Sequence, residues 1–533
     1  MLLYRALCLG LLLLPAFPAF GQNAIPQVRA VVLPVAGSET DSIQTIIARD
    51  LGFGDRVLVV SADGPQRAAA VVRGVATAQG LTVSLLDSLN GTALQQRDFP
   101  LPVVTPRNDQ AIADSLNQAF AARDLARRTA LVCATWIRDS IQAEMARKTP
   151  KLRNRKAKAE YSAVVTLRDS ILSDAVREMT VVQGERERDE ASRATVQSSA
   201  IAQAAIARDA AAAARRWAIH GVSDLVEEWM TGHRGIAQSR IAYVSNGEIR
   251  VVDFDGANDH AVTRADATGV KAMSPAWRGD GRTLVYSEMN DAGTQIALVN
   301  LMSGQIRTLA ATPRGLNITP VFSADDEWVV YANGTDARTS LVAVRPDSVA
   351  SLKHLPLNRL FDADEPIFSP DGSRIAYVSS RPSTPQIYSS NLDGTDERVE
   401  APAPTRGRVY HTSPDWSPDG RMIAYQQQNG DFQIWIVNRT DRSVRRVTTQ
   451  GENEDPSWAP DARHIALTSN RGGAGNLGAG HPDQTLSTAD YRRRCASRRM
   501  VGSHQVHLCN TARDRSLTAE PRAEKLCICN VTL

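Results

Sequence analysis

The sequence predicts a mainly β protein: a C-terminal six-bladed β-propeller with its last blade incomplete, plus an N-terminal α/β domain with a long α-helical insertion. Three observations carry this. One phrase recurs five times: Ser274-Pro-Ala-Trp-Arg-Gly-Asp-Gly281, Thr319-Pro-Val-Phe-Ser-Ala-Asp-Asp326, Glu365-Pro-Ile-Phe-Ser-Pro-Asp-Gly372, Ser413-Pro-Asp-Trp-Ser-Pro-Asp-Gly420 and Asp455-Pro-Ser-Trp-Ala-Pro-Asp-Ala462. Its aromatic residues, Trp277, Phe322, Phe368, Trp416 and Trp458, are spaced by 45, 46, 48 and 42 residues, the period of propeller blades built from several short strands. Residues 107 to 230, by contrast, are rich in Ala, Arg, Glu and Gln and almost free of Gly and Pro, a helical composition between two β-rich regions.

The chain opens with the anatomy of a signal peptide over residues 1–21. Arg5 supplies the positive start, Leu7 to Leu14 an apolar stretch, and Ala19 and Gly21 the small residues before a cut at Gln22. The expectation is an exported, periplasmic protein. The apolar stretch is too short to span a bilayer, Pro15 and Pro18 break it, and no later run is long enough for a membrane helix. The formal net charge of +3 argues against a nucleic-acid binder that neutralises many phosphates. Cysteine placement argues against a disulfide framework: Cys8 leaves with the signal, Cys133 stands alone, and the other four lie near the C-terminus.

Residues 22–106 read as the α/β domain. Val28 to Val35 is β-branched and apolar, Ser42 to Leu51 is an amphipathic helix, and Arg56 to Val60 is a second strand. Leu81 to Leu86 leads through Asn90-Gly91, a strong hairpin signal, to a partner at Ala93 to Phe99. Residues 107–216 form the helical insertion, where breaks at Pro150 and Gly184 suggest three long helices. The basic stretch Lys148 to Lys156 has no interleaved aromatics and reads as a solvated tip. Residues 217–236 read as a helix returning to the α/β domain, with Trp217, Val222, Leu225, Val226 and Trp229 on one side.

The propeller is expected over residues 237–475. In each repeat x-Pro should hold the backbone extended, and the Trp or Phe should fill the wedge between neighbouring blades. Ser-Pro-Asp-Gly makes a tight turn into a second strand such as Ile375 to Val378 or Ile423 to Tyr425. Ile241 to Val244 with Ile249 to Phe254 is a further blade without its own first strand, which makes six and calls for a strand donated from the far end of the chain. Residues 476–533, rich in Arg and Cys, read as a disordered tail foreign to the fold, so that donor is missing.

Chemistry is sparse. No G-x-S-x-G pentapeptide is present, so a hydrolase elbow is not expected, and the blade turn accounts for His411, Ser413 and Asp415 lying close together. His504, His507, Cys509, Cys527 and Cys529 match no standard zinc spacing; no metal or other cofactor is expected. His220 and His233 read as surface or packing residues. Propellers bind at the rims of the ring, and the segments before each x-Pro are the candidate partner-binding loops: Met273, Ser274, Leu316, Asn317, Thr319, Asp364, Glu365, His411, Ser413, Glu454 and Asp455.

The join from Trp217 to Val244, which includes Trp229-Met-Thr-Gly-His-Arg-Gly235 and Arg240-Ile-Ala-Tyr-Val244, resembles the interdomain link of the TolB family. Val32-Leu-Pro-Val35 and Ile46-Ile-Ala-Arg-Asp-Leu51 are similar to that family's N-terminal domain. The resemblance implies a non-enzymatic periplasmic member of the Tol–Pal system, which maintains outer-membrane integrity and assists cell division. It implies that one propeller face binds Pal, the peptidoglycan-associated lipoprotein, and that an N-terminal peptide contacts TolA. The sequence departs from the family in three places: only Gln22 to Gln27 precede the first strand, the block 107–216 is inserted, and the closing blade is incomplete. In the family a His stands three residues before an Ala that precedes the second x-Pro; Leu316 and Thr319 hold those positions here, which implies a different partner specificity. The alternatives are an exported propeller with unrelated ligands, or the remnant of a propeller similar to those of prolyl-oligopeptidase-type hydrolases.

Overall fold

A computed structural model describes residues 27–37, 40–62, 67–77, 80–105, 108–145, 155–264, 269–291, 293–311, 315–335, 338–357, 361–381, 384–401, 409–470, 479–480 and 526–530. The signal segment, most of the basic tip, and His504, His507 and Cys509 lie outside these residues. The chain divides into two compact units, one drawn from residues 1–76, 82–99 and 219–533 and the other from 77–81 and 100–218.

The N-terminal region is built on β1 (Val28–Val32), β2 (Ala36–Gly37), α1 (Thr40–Phe53), β3 (Val57–Val59), β4 (Ala70–Ala76), β5 (Gly80–Asp87) and β6 (Ala93–Pro100), in the sheet order β3-β1-β4-β5-β6 with β2 beside β4. β1 runs parallel to both β3 and β4, so β1-α1-β3 is a βαβ crossover. Its core is Ala30, Ile43, Ile47, Leu51 and Val83, all fully buried. The Asn90-Gly91 turn forms between β5 and β6: Gly91 takes φ +70°, and its N–H donates to Asp87 O at 2.9 Å.

The second unit holds α2 (Asp109–Met145) and most of α3 (Arg155–Thr231). Among the described residues there are two helices rather than the expected three, because α3 runs through Gly184 without a break. A lone helical glycine costs only about 1 kcal/mol relative to Ala. Cross-helix ion pairs flank it: Arg127 reaches Glu185 at 3.3 Å and Asp189 at 2.5 Å, and Arg186 reaches Asp124 at 2.7 Å. The seam between the helices is narrow and alanine-rich, with Ala113, Phe120 and Ala134 of α2 and Ala175 and Val182 of α3 buried. No helix among the described residues is long and apolar enough to cross a membrane.

β7 (Arg240–Ser245), β8 (Glu248–Asp253) and β9 (His260–Ala261) form a three-stranded sheet. Five four-stranded blades follow, the first four antiparallel and in simple chain order, against the six expected. They are β10–β13 (Lys271–Trp277, Thr283–Asn290, Gly293–Asn300, Ile306–Ala311), β14–β17 (Leu316–Phe322, Val329–Thr335, Arg338–Arg345, Ser348–His354), β18–β21 (Ala363–Phe368, Arg374–Ser379, Gln386–Asn391, Arg398–Val399) and β22–β25 (Tyr410–Trp416, Met422–Asn429, Asp431–Asn438, Val444–Arg446). The fifth has the order β26-β27-β29-β28, from Asn453–Trp458, His464–Ser469, Leu526–Asn530 and Ala479–Gly480 respectively.

That fifth blade departs from the sequence expectation. The tail is not wholly outside the fold: β29 pairs antiparallel with β27 from His464↔Asn530 to Thr468↔Leu526, in the place of a third strand. Leu-Cys-Ile-Cys is the one β-compatible run in an Arg-rich segment, and the open edge of β27 supplies its hydrogen-bond partners. Residues 481–525 lie outside the described set.

The aromatics of the repeat occupy the wedges. Trp277 packs with Ile249 and Val251 of the preceding sheet, Phe322 with Val285 and Ile296, Trp416 with Ala376 and Val378, and Trp458 with Met422 and Ile434. The Ser-Pro-Asp-Gly turns close as their chemistry implies: Gly372 at φ +68° donates its N–H to Ser369 O at 2.8 Å, and Gly420 at φ +74° repeats this with Ser417 O.

Within the first unit, the last turns of α3 fasten α1 to the propeller through polar side chains, of which the sequence had singled out His220 alone. Val222 and Val226 are buried as expected, but so are His220, Ser223, Asp224 and Glu227. His220 Nδ1 bonds Asp50 Oδ2 at 2.7 Å, and its Nε2 lies 3.4 Å from Asp255 Oδ2 in the turn after β8. Burial disfavours the imidazolium, yet hydrogen bonds and charge from Asp255 and Asp50 outweigh it and push the His220 pKa up to about 9. Arg49 bridges the same two carboxylates, each at 2.8 Å. Asp224 accepts hydrogen bonds from Ala237 N at 2.7 Å and Gln238 N at 2.9 Å, which sets the course of the join. His233 is exposed.

The end of α1 also touches the two ends of the propeller. Phe53 meets Phe254 edge-on with centroids 4.3 Å apart, and stacks on His464 of β27 at 5.4 Å. Ile236 and Phe254 pack with Phe53, Ile241, Ala459 and Ala466, and Arg463 pairs with Asp55. This cluster joins the last blade to the β7–β9 sheet, and no donated strand joins them among the described residues.

Candidate functional site

The first strands β10, β14, β18, β22 and β26 each stand at the start of their blade, and each of the first four contacts the first strand of the next. All eleven candidate residues lie in these strands and not in loops, which corrects the loop placement drawn from the sequence. The x-Pro steps explain it. Ladder pairing shifts at every one, between Met273 and Ala276, Ile318 and Val321, Asp364 and Ile367, Thr412 and Asp415, and Glu454 and Ser457. Each x-Pro is therefore a β-bulge, in which two residues oppose one on the second strand: Tyr286, Tyr331, Tyr377, Tyr425 and, in the fifth blade, Leu467.

The residue before each proline is left-handed and not extended, a second correction. Ser274, Thr319, Glu365, Ser413 and Asp455 have φ of 50°, 51°, 49°, 49° and 51°. Proline has no N–H for the ladder, so the strand bulges there, and the preceding residue absorbs the extra length by turning to positive φ. Five non-glycine residues in one strained conformation, one per blade, form an inner ring; such strain persists only where surrounding structure imposes it, and it gathers at binding sites.

Neighbouring bulges touch. Ser413 N donates to Glu365 Oε2 at 2.5 Å, and Ser413 Oγ donates to Asp455 Oδ1 at 3.1 Å, which links three consecutive blades. Burial pushes Glu365 up to about 7; the Ser413 N–H resists this while Asp364 and Asp455 add to it. Burial, with Asp362 nearby, pushes Asp364 up to about 6. Desolvation likewise pushes Asp415, which is partly buried and accepts Trp458 N at 2.6 Å, up to about 7. Thr319 Oγ1 is buried with no hydrogen-bond partner among the described residues. The ring thus presents carboxylate oxygens, which suit cationic and N–H donor groups.

Other candidates hold the frame. Asn317 is fully buried, accepting from Asn333 Nδ2 at 2.9 Å and donating from Nδ2 to Thr294 O at 2.7 Å. His411 is also fully buried, bonds Gln427 Oε1 through Nε2 at 3.1 Å and lies against Tyr425. Burial lowers its pKa to about 4, so it is neutral. Met273, Asp364 and Glu454 directly precede the left-handed positions and are partly buried, whereas Leu316 is exposed. Sequence reasoning missed the shared conformation; proline one residue after a polar residue, opposite a Tyr-bearing strand, was the available signal.

Residues 227–485 match the family described as "TolB beta propeller domain". The Tol-Pal system protein TolB of Francisella tularensis subsp. mediasiatica is 26% identical over 252 residues, which are 44% of this chain and 56% of that protein. The chain thus spans about half the length of that curated relative. The Tol-Pal system protein TolB of Actinobacillus succinogenes is 43% identical over 101 residues, 18% of this chain and 23% of that one. Among solved structures, TolB from Acinetobacter baumannii superposes with a TM-score of 0.55 over 85% of this chain and 91% of its own, at 16% identity, which is a likeness of fold. On its blades, its join and these matches, residues 227–485 are a propeller domain of the TolB family.

Proposed function

We propose that the protein is a non-catalytic periplasmic scaffold of the Tol–Pal system, contributing to outer-membrane integrity and cell division by binding a Pal-like peptidoglycan-linked lipoprotein at the ring of bulges. The observation that carries this is the Glu365–Ser413–Asp455 link across three blades, a pre-formed acidic, hydrogen-bonding surface on a rigid inner ring. In this reading the β7–β8–β9 sheet serves as the sixth blade: β7 has the sequence Arg-Ile-Ala-Tyr-Val-Ser, identical to the second strand β19. A non-enzymatic role is supported by Ser413, whose hydroxyl faces Asp455 and not a histidine, and by the buried, neutral His411.

The test is capture of envelope proteins by the tagged, exported chain. A Pal-like lipoprotein should be recovered, and its recovery should fall at least tenfold when Asp364 and Glu365 are both changed to Lys, while Glu365→Gln, which keeps an acceptor for Ser413 N, should weaken it less. Because Glu365 titrates near 7, affinity for a cationic partner should drop from pH 8 to pH 5.5 as the carboxylate takes up its proton. Binding that survives loss of the propeller would favour an exported module with unrelated ligands.

A further inference from the structure

Two strands of the chain share one sequence and differ in their surroundings. Arg-Ile-Ala-Tyr-Val-Ser forms both β7 and β19. In β19 the residues from Ile375 to Ser379 are all buried, whereas in β7 those from Ile241 to Ser245 are all only partly buried. The side chains are the same, so the difference lies in what covers them. β19 lies between β18 and β20 in its sheet, while among the described residues β7 has a ladder with β8 alone. The last blade shows the same lack of cover on the facing side. Ile465 and Leu467 of β27 turn toward Met422 and Trp458, so Ala466 and Thr468 turn the other way, where Ala466 meets Ile241. Both are partly buried, whereas their counterparts in β19 and β23, Ala376, Val378, Ala424 and Gln426, are buried. Natural edge strands are blunted by charge, proline or a bulge, and β7 from Ile241 to Ser245 has none of these.

The duplicate strand shows what fits this edge. β18 covers β19 by pairing Ala363↔Ser379, Asp364↔Val378, Ile367↔Ala376 and Phe368↔Ile375, with its bulge opposite Tyr377. β7 repeats β19 residue for residue, so a strand like β18 finds the same ladder opposite Ser245, Val244, Ala242 and Ile241, with its bulge at Tyr243. The order polar residue, Pro, any residue, Trp or Phe occurs five times in the sequence, and every copy is already the first strand of a blade. We propose that β7 is a strand acceptor: an extended segment of another polypeptide, with that same order of residues, adds antiparallel to its open edge. Its aromatic ring enters the wedge beside Ala466 and Ile241, on a floor made by Phe53 and Phe254. Main-chain hydrogen bonds supply affinity in such strand addition, and the proline bulge and the ring supply selectivity.

The probe is a fluorescein-labelled peptide with the sequence of residues 361–370, Phe-Asp-Ala-Asp-Glu-Pro-Ile-Phe-Ser-Pro, titrated into the full chain. Anisotropy should show saturable one-to-one binding, weakened about tenfold or more when the second Phe of the peptide is Ala. Hydrogen exchange should slow on binding at Ile241 to Ser245 and at Ala466 to Thr468. Thr468→Trp fills the wedge from the side of the last blade, and with an unchanged melting temperature it should weaken binding about tenfold or more. Peptide uptake at β7 and lipoprotein capture at the bulges are read separately, so either can fail without the other. An absence of binding overturns the proposal, as does binding that leaves exchange at β7 unchanged or is indifferent to loss of the ring. Protection of all five β7 amides before peptide is added would show that the chain, or a second copy of it, covers this edge, and would overturn it as well.

Discussion

Ala462 sits in the left-handed region at φ +57°, where its counterparts in three other blade turns are Gly281, Gly372 and Gly420. That conformation costs an alanine about 1–2 kcal/mol, partly recovered through its more restricted unfolded state. Ala462→Gly is therefore expected to stabilise the protein by about 0.5–1 kcal/mol, read as a higher urea midpoint at unchanged slope. Asp326 occupies the same place at φ +59°, but its carboxylate accepts Gly279 N from the preceding blade at 3.0 Å, so glycine there should give no gain. His220 is the residue whose loss should be felt most. With its pKa raised to about 9, its contribution is complete below 6.5, the unfolded value, and disappears as pH rises through 9. Replacing it with Gln leaves Arg49 as the one cation between Asp50 and Asp255 and should cost about 3 kcal/mol near pH 6. The gap between wild type and variant should shrink steadily above pH 7, and a gap independent of pH would contradict a charged His220. Glu227 acts in the same direction: burial raises it to about 8, so its share of stability falls between pH 4.5 and 8, and the fold should be firmest on the acidic side of neutrality.

Phe53 joins elements that are more than four hundred residues apart. Its ring lies between Phe254 of the first sheet and His464 of the last blade, where a propeller closed by a shared strand would have a ladder. Phe53→Ala should cost about 3–5 kcal/mol, and hydrogen exchange should rise first in β7, β8 and β27 while the middle blades stay protected. Protection lost evenly over all blades would mean that closure does not depend on this contact. Elements of this kind mark the boundary of what the sequence made legible. The blades were readable because each is local: an aromatic, a turn and two apolar strands within one period. Closure was not, because Phe53 is an ordinary apolar residue at the end of an amphipathic helix. On the polar side of α3 only His220 had been singled out, as a surface or packing residue; Asp224 and Glu227 look solvent-facing until the join and its neighbours are folded against them. The bulges lay between these cases: every x-Pro was visible, but proline's usual preference for an extended neighbour pointed to the wrong conformation. Gly184 misled in the opposite sense, since its cost is small against ion pairs made across the hairpin.

At the scale of the molecule, the two units should unfold separately. The hairpin seam is a thin row of small side chains, whereas each pair of neighbouring sheets encloses a cluster such as Val285, Ile296, Phe322, Tyr331 and Val342. Urea titration followed by exchange mass spectrometry should therefore show α2 and the first part of α3 opening at a lower midpoint than the blades, and a single shared midpoint would refute this. The five bulges also have a consequence for how such a protein can change. Ser, Thr, Glu, Ser and Asp hold one backbone geometry to within two degrees of φ. The scaffold thus dictates the shape of each position and is indifferent to its side chain. A combinatorial library confined to codons 274, 319, 365, 413 and 455 would alter the chemistry presented by five consecutive blades while leaving their hydrophobic wedges untouched. Recognition in this architecture can be rewritten by few substitutions, and a lineage meeting a new partner need not first risk its fold.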